Sequence, residues 1–567
     1  MTRSNRELDE LRSGRTELEN HYIDELVNGN VSRRDFIRRG SAIGMSVPLL
    51  GAILAACGAS SPASSSSSAS GSSSTAAAAP TKGGTLKVGA VAPAAAVNPL
   101  TVADAGGLLM LNQTGEFLIF DSNLKLALQP MLALSWSPNA DASVWTFKLR
   151  PNVTFNNGAA MTSADVVYTF QQLTDPKNAS NALSALGGVL QPSGVKAVDP
   201  QTVQFTLEAP NGNFPYLVSS DNYNAIIVPK GTDFSTWQKT FVGTGAFKLS
   251  SYTQNVGATF VPNPNYWGTK PLLDQTSFQF FTSQTAMLTQ FQGGAFDVVA
   301  QFTPVGASAI LNSSSYKVIK LNSANHRELS MRNDIAPFTD PRVRQAVALT
   351  LNRPAMVTGL LSGDGSVAND YPFGPRFPST DTTVPQRTQN ISMAKQLLAA
   401  AGHPNGFSVK LDTEQYQEVP ELATVIAQDA KAAGIDIALN VESQTLYYGK
   451  STFGNSDWLD GTMSLVDYGD RGVPNVFLEA PLTSTGPWNA ARFHNKTYDA
   501  LVKQYVAAVD LSAQRTIAGK IQRLLLQETP IVIPYWIDGL TASTPNVGGL
   551  NPTSIAQLYL NTAYKSA

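Results

Sequence analysis

The residues with the clearest potential for chemistry stand near the start of the chain. Cys57 is the only cysteine among 567 residues, and the stretch SRRDFIRRG ahead of it contains the adjacent Arg33 and Arg34. One cysteine cannot form a disulfide within its own chain. It also cannot build a zinc site with four widely spaced histidines, so we expect no metal and no cofactor. Covalent modification of the thiol is a chemistry that a single cysteine can still serve.

An uncharged, mostly apolar run separates the arginines from Cys57. Residues 40–56 read GSAIGMSVPLLGAILAA and include three glycines and a proline. A membrane-spanning helix needs about 20 predominantly apolar residues, so this run is short for a permanent span. The apolar region of an export signal is shorter, follows positive charge and ends in small residues. We therefore favour an export signal over a transmembrane helix.

Two short motifs resemble bacterial processing signals. Arg33 and Arg34 in SRRDFI resemble the twin-arginine export signal, and LAAC followed by glycine resembles the lipobox of bacterial lipoproteins. The resemblance implies that residues 1–56 are removed and that Cys57 carries a thioether-linked diacylglyceryl group. Residues 58–80 are almost wholly Ser, Ala, Gly and Pro. We expect residues 57–80 to form the lipidated end and a flexible tether.

Composition and motifs argue against several functions. The formal net charge is −2 and no basic face is evident, so nucleic acid is not an expected partner. The sequence lacks a GxxxxGK[ST] phosphate loop, a GxSxG nucleophile turn and an HExxH zinc motif. We therefore predict that the protein is not an enzyme. A hydrolase assembled from distant residues, or a structural surface protein, is the alternative from a different class.

Hydrophobic periodicity predicts a mixed α/β body after the tether. VWTFKLR at 144–150 and VQFTL at 203–207 alternate between apolar and polar residues, which is typical of half-buried strands. Asp340 followed by Pro341 predicts the start of a helix. Residues 407–441 show strand, amphipathic helix and strand in succession. This pattern predicts a βαβ unit with parallel strands.

Nine sequence blocks resemble, in order, the extracellular solute-binding proteins of family 5. The first block is WTFKLRPNVTFNNGAAMTSADVVYTF at 145–170, and the last is ETPIVIPYW at 528–536. The blocks between them include VGTGAFKL at 242–249 and NPNYWGTKPLLD at 263–274. This family supplies the peptide-, nickel- and oligosaccharide-binding components of ABC importers. The resemblance implies an α/β, two-lobed periplasmic-binding-protein fold of the class II type. It also implies an extra domain inserted in the first lobe.

The same resemblance implies domain boundaries and a hinge. We expect the chain to cross between the lobes near residues 327–330 and to return near residues 533–535. Closure would then be a hinge motion driven by ligand contacts to both lobes. The expected boundaries are 81–120, 225–328 and 534–567 for the first lobe, 121–224 for its inserted domain, and 329–533 for the second lobe.

One stretch of the second lobe resembles the family's ligand anchor. In its peptide binders, an aspartate in an Asp-Tyr-x-(Asp/Glu)-Pro stretch pairs with the ligand's α-amino group. Asp467, Tyr468, Gly469 and Asp470 match the first four positions, and Arg471 stands where proline is usual. The resemblance implies that Asp467 is the amino anchor, although the departure leaves the ligand class open. Alternatively, Asp467 caps a helix or pairs with Arg471.

Further ligand-binding candidates surround this stretch. The aromatic residues Tyr468, Trp458 and Trp488 would suit peptide side chains, stacking on sugar rings, or internal packing. Arg492 is a candidate partner for a ligand carboxylate, with an exposed salt bridge as the alternative. Glu116 is a candidate only because it occupies the position where the family's first strand-to-helix region faces the cleft.

These observations predict a lipid-anchored, extracytoplasmic substrate-binding protein of an ABC importer. It would reside on the cell surface or in the periplasm and act as a monomer. It would capture a peptide-like or other small solute between its lobes and deliver it to the transmembrane permease subunits. The same fold binding an oligosaccharide or a metal chelate is the alternative.

Overall fold

A computed structural model describes residues 80–122 and 127–566, apart from the side chain of Ser122. The predicted export signal with Arg33 and Arg34 lies outside the described residues, and so do Cys57 and nearly all of the predicted tether. Within the described ranges, every helix is too short or too polar to cross a bilayer.

The described strands form two large mixed sheets, a four-stranded antiparallel sheet and three two-stranded pairs. In chain order they are β1 Thr85–Val91, β2 Ile119–Ser122, β3 Ala127–Pro130, β4 Ala133–Pro138, β5 Val144–Leu149, β6 Val195–Asp199, β7 Thr202–Thr206, β8 Phe247–Thr253, β9 Gly257–Pro262, β10 Gln275–Phe281, β11 Val298–Phe302, β12 Lys317–Leu321, β13 His326–Met331, β14 Gly365–Val367, β15 Phe407–Glu414, β16 Ile435–Glu442, β17 Met463–Tyr468, β18 Ile531–Val532, β19 Tyr535–Ile537, β20 Gly539–Ser543, β21 Val547–Gly548, β22 Asn551–Pro552, β23 Leu558–Tyr559 and β24 Tyr564–Lys565.

The helices cover the faces of these sheets and link their strands. In chain order the described α-helices are α1 Ala105–Thr114, α2 Ser163–Thr174, α3 Leu183–Leu186, α4 Phe214–Leu217, α5 Gln284–Gln292, α6 Ser308–Leu311, α7 Pro341–Thr350, α8 Arg353–Leu361, α9 Ile391–Ala400, α10 Val419–Lys431, α11 Gln444–Tyr448, α12 Asp457–Asp460, α13 Asn475–Glu479, α14 Lys496–Ala507 and α15 Leu511–Glu528.

The first large sheet has the strand order β12-β20-β11-β1-β10-β9-β8. Its central strand β1 pairs in parallel with β10 and with β11, while the strands at both edges are antiparallel. Leu86 and Val88 of β1 are fully buried because both faces of the sheet are covered by apolar side chains. We call this sheet and the elements packed on it the first lobe.

The four-stranded sheet β4-β5-β7-β6 lies within the range expected for the inserted domain. Alternation along β5 buries Trp145, Phe147 and Leu149, and Phe147 packs edge-on against Phe205 of β7 with ring centroids 5.2 Å apart. The apolar face of α2 covers this sheet. Thr162 begins α2 through a capping box, in which the side chains of Thr162 and Asp165 each accept a hydrogen bond from a free backbone N–H group.

The second large sheet has the order β14-β19-β13-β17-β15-β16, with β18 paired to β13. As predicted, β15, α10 and β16 form a βαβ unit with its strands parallel throughout. Leu422, Ile426 and Ala430 give α10 its buried stripe. Helices α7–α10 contribute to the apolar layer on one face of this sheet, and α11–α15 to the layer on the other.

The chain changes sheet twice, at positions several residues away from the expected crossings. β12 of the first sheet ends at Leu321 and β13 of the second begins at His326, whereas the return lies at Asp538, between β19 and β20. The expected positions 327–330 and 533–535 instead belong to the second sheet. The reason is that β13 pairs with β17 over its whole length, from His326 to Met331, and so cannot be a connection. We call residues 326–537 the second lobe.

Candidate ligand-binding cleft

A cavity of about 630 Å³ lies between the two lobes. In the first lobe it is lined by Val91 and Phe302, the last residues of the parallel strands β1 and β11. In the second lobe it is lined by Gln415 and Asp467, at the carboxyl ends of the parallel strands β15 and β17. Crevices at the carboxyl ends of parallel strands are the usual ligand sites of open α/β sheets. Both sheets therefore present their binding edges to the same space.

The amino end of α1 forms part of the first-lobe wall. Asp104 caps this helix by accepting a hydrogen bond from the Gly107 backbone N–H at 2.9 Å. A Cβ at Gly106 would lie 2.3 Å from the carbonyl oxygen of Val91, so only glycine allows the helix to approach β1 this closely. Gly106 itself lines the cavity and adds no side chain to it.

Asp467 lies at the cleft wall as a partly buried residue near the end of β17. Its Oδ1 accepts a hydrogen bond from the Tyr448 hydroxyl at 2.8 Å. The opposite residue in the β13–β17 ladder is Arg327, whose guanidinium binds Glu418 at 2.9 Å. Burial lowers the pKa of Arg327, but the charges of Glu418 and then of Asp467 raise it. Asp467 caps no helix and forms no ion pair with Arg471 or any other cation of the described residues. Neither structural role considered from the sequence is therefore found.

Glu414 stands beside Asp467 at the end of the neighbouring strand β15. Its Oε1 lies 2.9 Å from the Tyr448 hydroxyl and accepts a 3.3 Å hydrogen bond from the Asp467 backbone N–H. Burial, and then the Asp467 charge, raise the pKa of Glu414 to about 7. The Tyr448 hydroxyl has a single proton, so it can donate to only one of the two carboxylates. The pair is thus electrostatically suited to receive a cation.

The three aromatic candidates pack against one another in the second lobe. Tyr468 stacks on Trp488 with ring centroids 6.2 Å apart, and Trp488 lies 6.2 Å from Trp458. None of the three lines the cleft cavity, whose aromatic residues are Tyr223, Phe302 and Tyr416. These three residues therefore belong to the packing of the second lobe around β17, the strand that carries Asp467, and do not line the cleft.

Arg492 lies outside the cleft cavity. Its guanidinium binds the Asp460 carboxylate at 2.9 Å and covers the ring of Phe453 at 3.9 Å from the ring centre. The charge of Arg492 is thus already neutralised within the second lobe.

Glu116 lines a separate pocket of about 150 Å³ in the first lobe. Its carboxylate accepts hydrogen bonds from the Thr244 hydroxyl at 2.8 Å, the Tyr266 hydroxyl at 2.9 Å and the Trp267 indole N–H at 2.8 Å. Burial raises the pKa of Glu116 to about 7, even though these donors lower it. Two of the sequence blocks, VGTGAFKL and NPNYWGTKPLLD, therefore meet on one buried carboxylate.

A buried ion cluster joins the lobes beside the cavity. Arg376 of the second lobe binds Asp470 of its own lobe, and its Nη2 lies 3.5 Å from Asp121 and 3.6 Å from Asp221, both on the first-lobe side. Its Nη1 also donates to the Ser554 hydroxyl at 2.6 Å. No sequence motif suggested this cluster, because its members are far apart along the chain.

Glu414 could have been found by extending the predicted strand 407–411 to its carboxyl end.

Across the described residues, no group of three or more His, Cys, Asp or Glu side chains is arranged to hold a metal ion. The cleft is instead lined by hydrogen-bonding groups from both lobes, with the charged residues Asp467, Asp470 and Arg471 on the second-lobe side and Asp104 on the first.

The two lobes, the paired crossings and the cleft between them define the class of two-lobed periplasmic binding proteins. The model of the bacterial extracellular solute-binding proteins, family 5, middle region, matches residues 127–489, which is more than half of the chain. The chain therefore belongs to this family.

Curated relatives and solved structures agree with this assignment. The periplasmic murein peptide-binding protein MppA of Escherichia coli K12 is 26% identical over 477 residues, covering 77% of this chain and 85% of the relative. The dipeptide-binding protein DppE of Bacillus subtilis 168 is 26% identical over 471 residues, covering 77% and 84%. The periplasmic binding protein DppA of Helicobacter pylori, solved with the peptide STSA, superposes with a TM-score of 0.70 at 20% identity, covering 86% of this chain and 99% of that one.

Proposed function

We propose that this chain is a lipid-anchored, extracytoplasmic substrate-binding protein of an ABC importer and that its ligand is a peptide-like solute. The observation that carries the proposal is the Asp467 carboxylate, which lines the cleft without a salt-bridge partner among the described residues. A carboxylate held partly out of water gains from a cation that hydrogen-bonds to it. The α-amino group of a peptide supplies one. Relatives named for murein peptide and dipeptide binding support this ligand class.

Capture and closure follow from the position of the cleft. A peptide held by Asp467 would contact the second lobe directly and the ends of β1 and β11 in the first lobe. A ligand that touches both lobes stabilises the closed arrangement over the open one by its additional contacts. The closed complex is then the form that delivers the solute to the permease.

In this proposal, the amino-terminal segment determines where the protein is located. Arg33 and Arg34 belong to the export signal, and lipidated Cys57 holds the binding protein at the outer face of the cytoplasmic membrane or at the cell surface. Tethering keeps the captured solute near its permease. The periplasmic relatives support a location outside the cytoplasm. The protein binds and releases its solute without chemical change, as transporter binding proteins do.

The geometry favours a peptide over an oligosaccharide. Asp467 suits an ammonium group, which a neutral sugar lacks. Trp458 and Trp488 are packed against each other and away from the cavity, so stacking on a sugar ring would fall to Tyr223, Phe302 and Tyr416 of the cavity wall. Capture of a metal chelate remains the further alternative, because a chelate can be held by charged and polar groups without direct coordination by the protein.

Thermal unfolding with three ligand panels tests the proposal. The protein is heated with pooled short peptides, with pooled oligosaccharides, or with metal–histidine chelates. A ligand at about 100 times its dissociation constant stabilises the fold by about 2.7 kcal/mol, which is visible as a shift in melting temperature. We expect a shift with peptides alone. A shift with sugars alone that disappears in Tyr416→Ala, at an aromatic residue of the cavity wall, would replace the peptide proposal with a sugar site.

A further inference from the structure

Arg471 lines the same cavity as Asp467, four residues further along the chain. Its Nη1 donates one hydrogen bond, to the Asp470 backbone carbonyl at 2.9 Å. Its guanidinium carbon lies 5.8 Å from the ring centre of Tyr223, on the first-lobe side of the cleft. Among the described residues, no carboxylate lies within ion-pairing distance of Arg471. A guanidinium has five donors in a planar fork, so most of its capacity for binding an anion is unused.

The other charged groups of the cavity wall already have structural roles. Asp104 caps α1, and Asp470 is bound by Arg376. In the part of the chain that the structure describes, this leaves two cavity-lining ions of opposite sign for a ligand, namely Asp467 and Arg471. Arg492, the arginine that the sequence suggested for a ligand carboxylate, is bound to Asp460 outside the cavity.

We propose that Arg471 binds the terminal carboxylate of the ligand, so that the cleft selects short peptides with both ends free. This inference rests on the proposed function, in which Asp467 binds the α-amino group. A planar guanidinium can hold a carboxylate through two parallel N–H···O bonds, which gives direction as well as charge. The ligand carboxylate would then lie close to Tyr223, next to the first lobe, and would favour closure.

The chain between the two ions limits the length of such a ligand. Four residues of extended chain place the Cα atoms of Asp467 and Arg471 at most about 14 Å apart. Gly469 lies between them on the cavity wall, and a Cβ there would have Arg471 Nη1, at 3.8 Å, as its nearest neighbour. No side chain of Gly469 therefore separates the two charges. A peptide of about two to four residues spans this distance, at about 3.3 Å per residue.

A ligand pair that differs only in its carboxylate tests the inference. Calorimetric titration would compare trialanine with trialanine amide on the full-length protein and on Arg471→Gln. We expect the wild-type protein to bind the amide about 10- to 100-fold more weakly, because a charge-assisted bond is lost. In Arg471→Gln both peptides should bind equally, at the affinity of the amide. Arg492→Gln is the matched control and should keep the wild-type preference.

The outcomes separate this inference from the proposed function. If the wild-type protein binds both peptides equally and Asp467→Asn abolishes binding, the amino anchor holds and the role of Arg471 is overturned. A preference for the free carboxylate that persists in Arg471→Gln also overturns it. If neither peptide binds the wild-type protein, the proposed function fails and this inference fails with it. Arg471→Lys, with one point charge, should retain a reduced preference if the glutamine variant does not fold.

Discussion

Glu414 and Asp467 lie side by side at the carboxyl ends of two parallel strands. The backbone N–H of Asp467 is 3.3 Å from Glu414 Oε1, and the Tyr448 hydroxyl is within 2.9 Å of a carboxylate oxygen of each residue. Burial and the neighbouring carboxylate both oppose ionisation of Glu414. A cation bound at Asp467 would offset the repulsion between the two carboxylates, because it would favour the ionised form of Glu414.

Peptide affinity should therefore rise with pH. The pKa of Glu414 is about 7 in the free protein, and a bound ammonium lowers it, so below pH 7 binding releases a proton. The α-amino group of the peptide has its own pKa of about 8, so the comparison is made below that pH. A pKa decrease of about one unit for Glu414 corresponds to roughly fourfold higher affinity at pH 7 than at pH 5.5. Calorimetry at pH 6.5 in buffers of different ionisation enthalpy measures the released proton. The same proton release in Glu414→Gln as in the wild type would exclude Glu414 as its source.

The Arg376 cluster should make the stability of the protein depend on pH. Burial raises the pKa of Asp221 well above its usual value, and the charge of Asp121 raises it further. The folded protein therefore holds protons that the unfolded chain releases, and stability falls as pH rises above about 4. Arg376, Asp470 and the nearby Tyr216 and Tyr559 face the same group of charges.

Replacement of one carboxylate by an amide should weaken that dependence. Asp221→Asn removes one of the three negative charges that face a single guanidinium, so the unfolding free energy should decrease less between pH 5 and pH 8 than in the wild type. Urea unfolding at the two pH values provides the comparison. Asp436→Asn, at an exposed position of β16, is the control. Identical pH dependence in wild type and Asp221→Asn would argue against this account.

Glu116 should matter for stability and not for ligand affinity. Its carboxylate accepts from all three partners, so Glu116→Leu would leave the Trp267 indole N–H and the Thr244 and Tyr266 hydroxyls without this acceptor. The expected cost is about 1–3 kcal/mol of unfolding free energy. Chemical unfolding and peptide titration of the same variant measure both quantities. Lost peptide affinity with unchanged stability would instead support the ligand role expected from its family position.

Most of the fold could be predicted from the sequence because its signals are local. Alternation marked β5 and β7, the Asp340 cap marked α7, and the pattern over residues 407–441 marked the βαβ unit. The crossings between the lobes lie several residues away from the expected positions. A strand and a connection of similar composition differ only in whether they pair with a neighbouring strand. Local pattern does not contain that information.

The candidate site was only partly predictable. Asp467 lines the cavity between the lobes, whereas Trp458 and Trp488 pack against each other outside it, and the binding role of Asp467 stays a prediction. An aromatic residue in a loop-rich region looks the same in sequence whether it faces a cavity or a neighbouring ring. The charges around Arg376 come from positions as distant as 121 and 470, and only the tertiary fold brings them together.

The anchor gives a prediction that is independent of the cleft. Cys57→Ser removes the thiol that the lipid would be attached to, so the protein should move from the membrane pellet to the soluble fraction. Ser60→Ala, three residues further along the predicted tether, is the matched control and should stay with the membrane. Membrane retention of Cys57→Ser would indicate that residues 40–56 are a permanent transmembrane helix.

The central claim is that Asp467 binds the ammonium group of a peptide, and calorimetry of Asp467→Asn tests it most directly. Loss of a partly buried ion pair should cost about 2–5 kcal/mol of binding free energy, while unfolding stability stays close to that of the wild type. Asp460→Asn, a carboxylate of the same lobe outside the cavity, should bind peptide normally. An amino-acetylated peptide should bind the wild type as weakly as the free peptide binds Asp467→Asn. Unchanged peptide affinity in a folded Asp467→Asn would contradict the claim.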